Sequence, residues 1–232
     1  MKSKILVVLI FIVSIFVLTS CINKNTDAYK FKREYESLNG TKVFDKKVRN
    51  IVISKDNPFV YKSAKDIIKM MDNKQSFVVY FGFAKCPWCR SVLPTLDKVS
   101  KKEGLDTIYY VDIFEIRDTL KVDENGELIT EKKGSKDYYK LLEYLDNVLD
   151  EYNLNDINGN KVETNEKRIY APNVISVVNG KAEKMTTGIS DKQTDAYMKL
   201  TSDMKKETYD KFKCVIKCVI DNKTTCSKEK QC

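Results

Sequence analysis

Residues 77–90 read FVVYFGFAKCPWCR, an apolar run followed by two cysteines three positions apart, Cys86 and Cys89. The run from Phe77 to Phe83 is apolar at nearly every position, which is typical of a strand buried on both faces of a sheet. A helical pattern begins at Arg90. The stretch therefore predicts a central strand, a tight turn and a helix, with Cys86 at the helix N-terminus.

This placement of two thiols indicates thiol–disulfide exchange. Unpaired backbone N–H groups and the helix dipole favour a thiolate at Cys86, which can attack a disulfide. Cys89, one turn into the helix and predicted to be buried, can resolve the mixed disulfide. Pro87 fits the first helical turn. Trp88 is expected to be exposed at the mouth of the site, where it could lie against a substrate peptide. A structural disulfide and half of a zinc site are the alternative interpretations of the cysteine pair.

The composition limits the possible chemistry. The 232-residue chain has a formal net charge of +8 and no histidine, which excludes Ser–His and Cys–His catalysis and metal sites with histidine ligands. Because the lysines are scattered among acidic residues rather than massed, apart from the C-terminal tail, we interpret them as a solvated surface and expect no nucleic-acid partner. We expect no metal and no cofactor apart from a redox-active disulfide between Cys86 and Cys89.

The N-terminus has the pattern of a bacterial lipoprotein signal. Two lysines precede the apolar residues 5–18, a run that is short for a membrane span and suited to a signal peptide. Residues 18–21 read LTSC and resemble a lipobox, in which cleavage frees Cys21 to carry lipid. We predict a lipid-anchored protein on the extracytoplasmic face of the membrane. An ordinary secretory signal and an uncleaved anchor are the alternatives.

Strands and helices alternate along the remaining chain. Apolar patterns predict the order βαβαβ, then a helix, a β-hairpin and a final helix, with the first strand over residues 48–53. The hairpin is predicted over residues 172–187, around an Asn-Gly turn. The final helix is expected to begin at Ser190 or Asp191 and to reach at least Lys213. This order implies an α/β fold whose sheet is partly parallel.

The same order, with Cys-x-x-Cys after the second strand, resembles the thioredoxin superfamily. Pro94 lies where that family has a helix-kinking proline, and Ala171-Pro172 lies where it has a cis-proline facing the active site. The resemblance implies a thioredoxin-like fold: a mixed sheet with a parallel core and a terminal antiparallel hairpin, flanked by helices. It also implies that Pro172 and the Ala171 backbone present an extended substrate.

One position departs from the family pattern. Tyr80 stands where thioredoxins have a buried acid that helps to move the proton of the resolving thiol. The motif is compatible with an oxidant, a reductant or an isomerase, so the direction of electron flow stays open.

A narrower group carries a closer resemblance. Residues 80–90, 167–172 and 31–40 are similar to thioredoxin-like lipoproteins of low-GC Gram-positive bacteria, some of which are labelled bacteriocin transport accessory proteins. The resemblance covers roughly residues 30–205. It implies a membrane-anchored thiol–disulfide oxidoreductase that acts on exported proteins or peptides and has a membrane redox partner. The alternatives are a non-catalytic accessory lipoprotein in peptide export and, third, a metal chaperone.

Four segments follow from these patterns. They are a lipoprotein signal peptide (1–20), a tether with a short helix (21–45), a thioredoxin-like domain (46–205) with an insertion around 115–165, and a cysteine-rich extension (206–232).

The extension contains Cys214, Cys218, Cys226 and Cys232, an even number in a chain predicted to be exported. Cys214 and Cys218 would lie on one face of a helix with diverging Cβ atoms, which disfavours a bond between them. Of the three possible connectivities we predict the nested one, Cys214–Cys232 and Cys218–Cys226, as a structural staple. A zinc site and a redox relay to Cys86 are the alternatives.

Overall fold

The computed structural model describes residues 26–43 and 45–221. The helices are, in chain order, α1 (Asp27–Glu36), α2 (Ala64–Asp72), α3 (Pro87–Glu103), α4 (Lys136–Leu145) and α5 (Ser202–Ile220). The strands are β1 (Lys42–Val43), β2 (Lys46–Lys47), β3 (Phe59–Tyr61), β4 (Phe77–Gly82), β5 (Ile108–Asp112), β6 (Thr119–Val122), β7 (Leu128–Lys132), β8 (Glu151–Asn155), β9 (Lys161–Lys167), β10 (Asn173–Val178) and β11 (Lys181–Thr186). The predicted signal peptide, Cys21, Cys226 and Cys232 lie outside the described residues.

A five-stranded mixed sheet forms the centre of the protein. Its strand order is β11-β10-β4-β5-β3. Strands β3, β4 and β5 run parallel, whereas β10 is antiparallel to both β4 and β11. The prediction of an α/β protein with a partly parallel sheet and a terminal antiparallel hairpin is confirmed.

Strand β4 lies between two helical layers, which explains why all six of its residues are buried. Val78 and Tyr80 pack on one face against α1, α3 and α5. Val79 and Phe81 pack on the other face against α2 and α4. The alternation of side chains along this strand therefore gives each helical layer its own apolar cluster.

The prediction of a strand over residues 48–53 is wrong. This segment is extended and buries Ile51 and Ile53, but beyond Val48 its backbone bonds to side chains rather than to a neighbouring strand. Asn39 accepts the Ile51 N–H at 3.0 Å and donates to the Ile51 carbonyl at 2.8 Å. Glu36 accepts the Ile53 N–H at 2.8 Å. Side-chain partners of this kind satisfy buried backbone N–H and C=O groups as well as the hydrogen bonds of a neighbouring strand do. The strand at this edge of the sheet is β3.

The predicted start of the final helix is also wrong. Residues 187–201 are irregular, and α5 begins after Thr201, whose hydroxyl caps the Met204 N–H at 3.2 Å. Ser190 and Asp191 instead donate to the carboxylate of Glu207 on α5, at 2.5 and 2.8 Å. The predicted domain boundary at 205/206 falls inside α5, and this helix packs on the sheet through Phe212, among other residues.

The predicted insertion around 115–165 contains two hairpins and α4. Hairpins β6–β7 and β8–β9 are antiparallel pairs separate from the central sheet. Helix α4 buries Tyr138, Leu141 and Leu145 in the core beside α2, so it belongs to the helical layer of the domain. Across residues 26–43 and 45–221, none of the helices has the length and apolar character that a membrane crossing requires.

Candidate functional site

The turn between β4 and α3 places Cys86 at the N-cap of α3. The Cys86 backbone is extended, with φ −69° and ψ 117°, and its carbonyl accepts the Arg90 N–H at 3.1 Å. Its sulfur accepts the Cys89 N–H at 3.1 Å, the bond that a serine or aspartate oxygen makes at an ordinary N-cap. Pro87 occupies the first turn, where its missing N–H leaves nothing unpaired.

Hydrogen bonding makes Cys86 the more acidic of the two thiols. Burial raises the pKa of Cys86, but the thiol of Cys89, the N–H groups of Cys89 and Trp88, and the charge of Arg117 lower it by more. The net result is a pKa below the ordinary value for cysteine. A thiolate is therefore favoured at the predicted nucleophile.

The second thiol has the opposite character. Cys89 is completely buried, and burial together with the neighbouring Cys86 raises its pKa well above the ordinary value. Both cysteines are free thiols. The pair thus combines an acidic outer thiol with a buried, protonated inner one.

The segment preceding β10 faces the same site. Because β10 is antiparallel to β4 and Asn173 pairs with Phe81, residues 171 and 172 reach the end of β4 from which the Cys86 turn departs. The Ala171–Pro172 peptide bond is cis, as the resemblance implied. The thiol of Cys86 donates to the Ala171 carbonyl at 3.1 Å. The structure therefore brings the two cysteines and this dipeptide together.

The surrounding protein covers most of Cys86 and part of Trp88. Only 3% of the Cys86 surface is accessible, because the Ala171 segment covers the thiol. Trp88 is half-buried rather than exposed.

Sequence reasoning missed the buried Arg90, which directly follows the motif. Its guanidinium donates four hydrogen bonds to acceptors on α1 and the turn that follows it, on the 48–53 segment and on the turn before Cys86: Tyr35 O (2.8 Å), Asn39 Oδ1 (2.7 Å), Arg49 O (2.9 Å) and Ala84 O (3.3 Å). Its side chain is fully buried. An arginine at this point of an otherwise apolar helix face was the available signal, since buried arginine needs several acceptors.

Sequence reasoning also missed a pair of buried tyrosines, Tyr35 and Tyr80, whose hydroxyls meet beside the site. The hydroxyls of Tyr35 and Tyr80 are hydrogen-bonded at 3.0 Å, both side chains being completely buried. Tyr80 folds over Gly82, where any side chain would collide with its hydroxyl. The signal was the number of tyrosines in core positions, because a buried phenol needs a partner for its hydroxyl.

The two described cysteines of α5 are not free thiols, unlike Cys86 and Cys89. Cys214 and Cys218 are both disulfide-bonded, and Cys214 accepts a hydrogen bond from Lys184 at 3.1 Å. The predicted pairings with Cys232 and Cys226 involve residues outside those described and stay predictions. Within the described part of the chain, no three His, Cys, Asp or Glu side chains are grouped so as to hold a metal ion.

A scan of the sequence against protein-family models finds no match, and neither does a search of curated proteins. The functional interpretation therefore depends on the geometry around Cys86 and Cys89.

Proposed function

We propose that this protein is a thiol–disulfide oxidoreductase of thioredoxin-like fold. The observation that carries the proposal is the N-cap position of Cys86, whose sulfur accepts the backbone N–H of Cys89 at 3.1 Å. Cys89 itself is a buried free thiol. An acidic thiol that can attack and an adjacent buried thiol that can resolve are the two components that exchange requires.

The reaction follows from these positions. The Cys86 thiolate attacks one sulfur of a substrate disulfide, forms a mixed disulfide and releases the other substrate sulfur as a thiolate. Cys89 loses its proton and attacks the Cys86 sulfur, which forms the Cys86–Cys89 disulfide and releases the second substrate thiolate. Two electrons pass from the protein to the substrate, and the reverse sequence oxidises a substrate dithiol.

The segment at Ala171 supports binding of an extended substrate. Its carbonyl lies 3.1 Å from the Cys86 sulfur, at the position where a substrate strand would reach the nucleophile. Main-chain hydrogen bonds from such a strand would bind many sequences, which suits exported proteins or peptides as substrates. A lipid at Cys21 would place this site on the extracytoplasmic membrane face, beside a membrane redox partner.

The Cys89→Ser variant tests the proposal. With 5,5′-dithiobis(2-nitrobenzoic acid), a disulfide that releases a coloured thiolate, we expect wild type to release two equivalents and to retain no adduct. The variant should release one equivalent and keep the other half of the reagent on Cys86, because nothing resolves the mixed disulfide. Absorbance gives the equivalents and mass spectrometry locates the adduct.

A non-catalytic accessory role in peptide export is the second candidate. The observation in its favour is the 3% accessibility of Cys86, which shields the thiol in the reduced protein. Under this alternative the Cys89→Ser variant releases no coloured thiolate and forms no adduct, which would contradict the oxidoreductase.

A further inference from the structure

A cavity of about 620 Å³ lies between residues 46–49 and the turn at residues 195–199. Four of the side chains that line it are basic: Lys46, Lys47, Arg49 and Lys199. The only carboxylate among its lining residues belongs to Asp195, so positive charges exceed negative ones by three. A concave surface with this excess of one sign of charge concentrates ions of the opposite sign, here anions.

Arg49 joins the two walls of this cavity. Its Nη2 atom donates to the carbonyls of Ala196 and Met198, at 3.0 and 2.5 Å, which fixes the 48–53 segment against the turn. Asp195 shapes the same turn by accepting the Tyr197 N–H at 2.6 Å. Hydrogen bonds to backbone groups therefore define the shape of the cavity, and the guanidinium has a fixed position in its wall.

The positive charges of the cavity are not neutralised by the described part of the protein. None of the four basic side chains forms an ion pair with an acidic residue there, whereas Lys101, for example, pairs with Asp56. The buried Nε of Arg49 also has no acceptor among those residues. Lys46 Nζ lies 5.0 Å from the centre of the Tyr197 ring, which keeps this ammonium group beside the cavity. A bound anion would supply the missing counter-charge.

We propose that this cavity binds a phosphate group. A phosphate carries between one and about two negative charges and several acceptor oxygens, so it can engage more of the four cations than a single carboxylate can. The planar donors of a guanidinium and the point charges of lysines are the groups with which proteins bind phosphate. The inference does not rest on the proposed exchange function, because no lining residue belongs to the cysteine pair or to the Ala171–Pro172 segment.

Two sources of phosphate share this chemistry. One is a soluble phosphate compound, for which inorganic phosphate is the simplest probe. The other is the headgroup of an anionic phospholipid, which would be abundant beside the protein if Cys21 carries the predicted lipid.

Acetylation of individual lysines tests the site in the full-length protein. The protein is held in phosphatidylcholine vesicles and treated with the N-hydroxysuccinimide ester of acetic acid, and mass spectrometry gives the rate at each lysine. Inorganic phosphate should slow the acetylation of Lys46, Lys47 and Lys199 until the effect saturates, whereas sodium chloride at the same ionic strength should not. Lys98 and Lys181, which are exposed elsewhere on the protein, should react at unchanged rates.

A variant of one exposed lysine distinguishes a site from general ionic screening. Lys199→Gln removes one of the four positive charges and should raise the phosphate concentration for half-protection of Lys46 and Lys47 roughly fivefold. The matched control, Lys98→Gln, removes the same charge from an exposed position on α3 and should leave that concentration unchanged. Equal protection of all these lysines by phosphate, or the wild-type concentration dependence in Lys199→Gln, would overturn the proposal.

Vesicles that contain phosphatidylglycerol identify the source of the phosphate. Without inorganic phosphate, protection confined to Lys46, Lys47 and Lys199 in these vesicles would assign the site to a lipid headgroup. Protection by inorganic phosphate alone would assign it to a soluble phosphate compound. Absence of protection under both conditions would overturn the phosphate site and leave disulfide exchange at Cys86 unaffected.

Discussion

Replacing Cys86 by serine is expected to abolish thiol–disulfide exchange. The hydroxyl of serine can accept the Cys89 N–H at the N-cap, so α3 should keep its start. It cannot act as the thiolate nucleophile. Cys89 cannot substitute, because it is completely buried and its pKa is raised well above the ordinary value. The variant should release no coloured thiolate from the nitrobenzoate disulfide.

The pH dependence of the first step gives this prediction a second readout. The pKa of Cys86 is lower than that of an ordinary cysteine, so its thiolate is present above that lowered value and is lost as the pH falls through it. In Cys89→Ser the single phase of thiolate release should follow that titration, whereas in Cys86→Ser the signal should be absent at every pH. Exchange at the wild-type rate in Cys86→Ser would contradict the assignment of the nucleophile.

The Arg90→Ala variant should show the largest loss of stability. The guanidinium donates four hydrogen bonds to acceptors in three separate segments, all close to the start of α3. Truncation would leave a cavity and deprive those acceptors of their donor. Taken together, these losses are expected to lower the free energy of unfolding by roughly 3–5 kcal/mol, measured by urea titration.

An exposed arginine provides the control. Arg33→Ala on α1 removes the same side chain from a solvated position and should change the free energy of unfolding by less than about 0.5 kcal/mol. Arg90→Lys keeps the charge but cannot match the planar set of donors, so most of the loss should persist. An Arg90→Ala variant as stable as Arg33→Ala would show that this hydrogen-bond cluster does not hold the segments together.

The sequence was informative where one local pattern decides a structure. The apolar run of β4, the N-cap of α3 and the Asn-Gly hairpin each depend on neighbouring residues and were predicted correctly. Residues 48–53 have the composition of a strand, yet their partners are the side chains of Glu36 and Asn39. When side chains distant in sequence replace a neighbouring strand as hydrogen-bond partners, the local sequence shows no periodic pattern that would reveal it.

The candidate site divides in the same way. Cys86 and Cys89 can be recognised as a candidate redox pair from the sequence, because their spacing of three positions and the helix start between them are local features. Arg90 and the hydroxyl pair of Tyr35 and Tyr80 cannot be recognised in this way, since their partners lie on different elements and meet only in the folded protein. The packing role of the two tyrosines is visible in the sequence, whereas the pairing of their hydroxyls requires coordinates.

The central claim is that Cys86 and Cys89 form a reversible redox couple, and equilibration with glutathione buffers tests it most directly. Alkylation and mass spectrometry of the quenched protein report the fraction of the intramolecular disulfide at each buffer composition. We predict a single two-electron transition, in which the ratio of oxidised to reduced protein changes tenfold for about 30 mV of buffer potential. Two thiols that stay free at every buffer composition, or that accumulate only glutathione adducts, would contradict it.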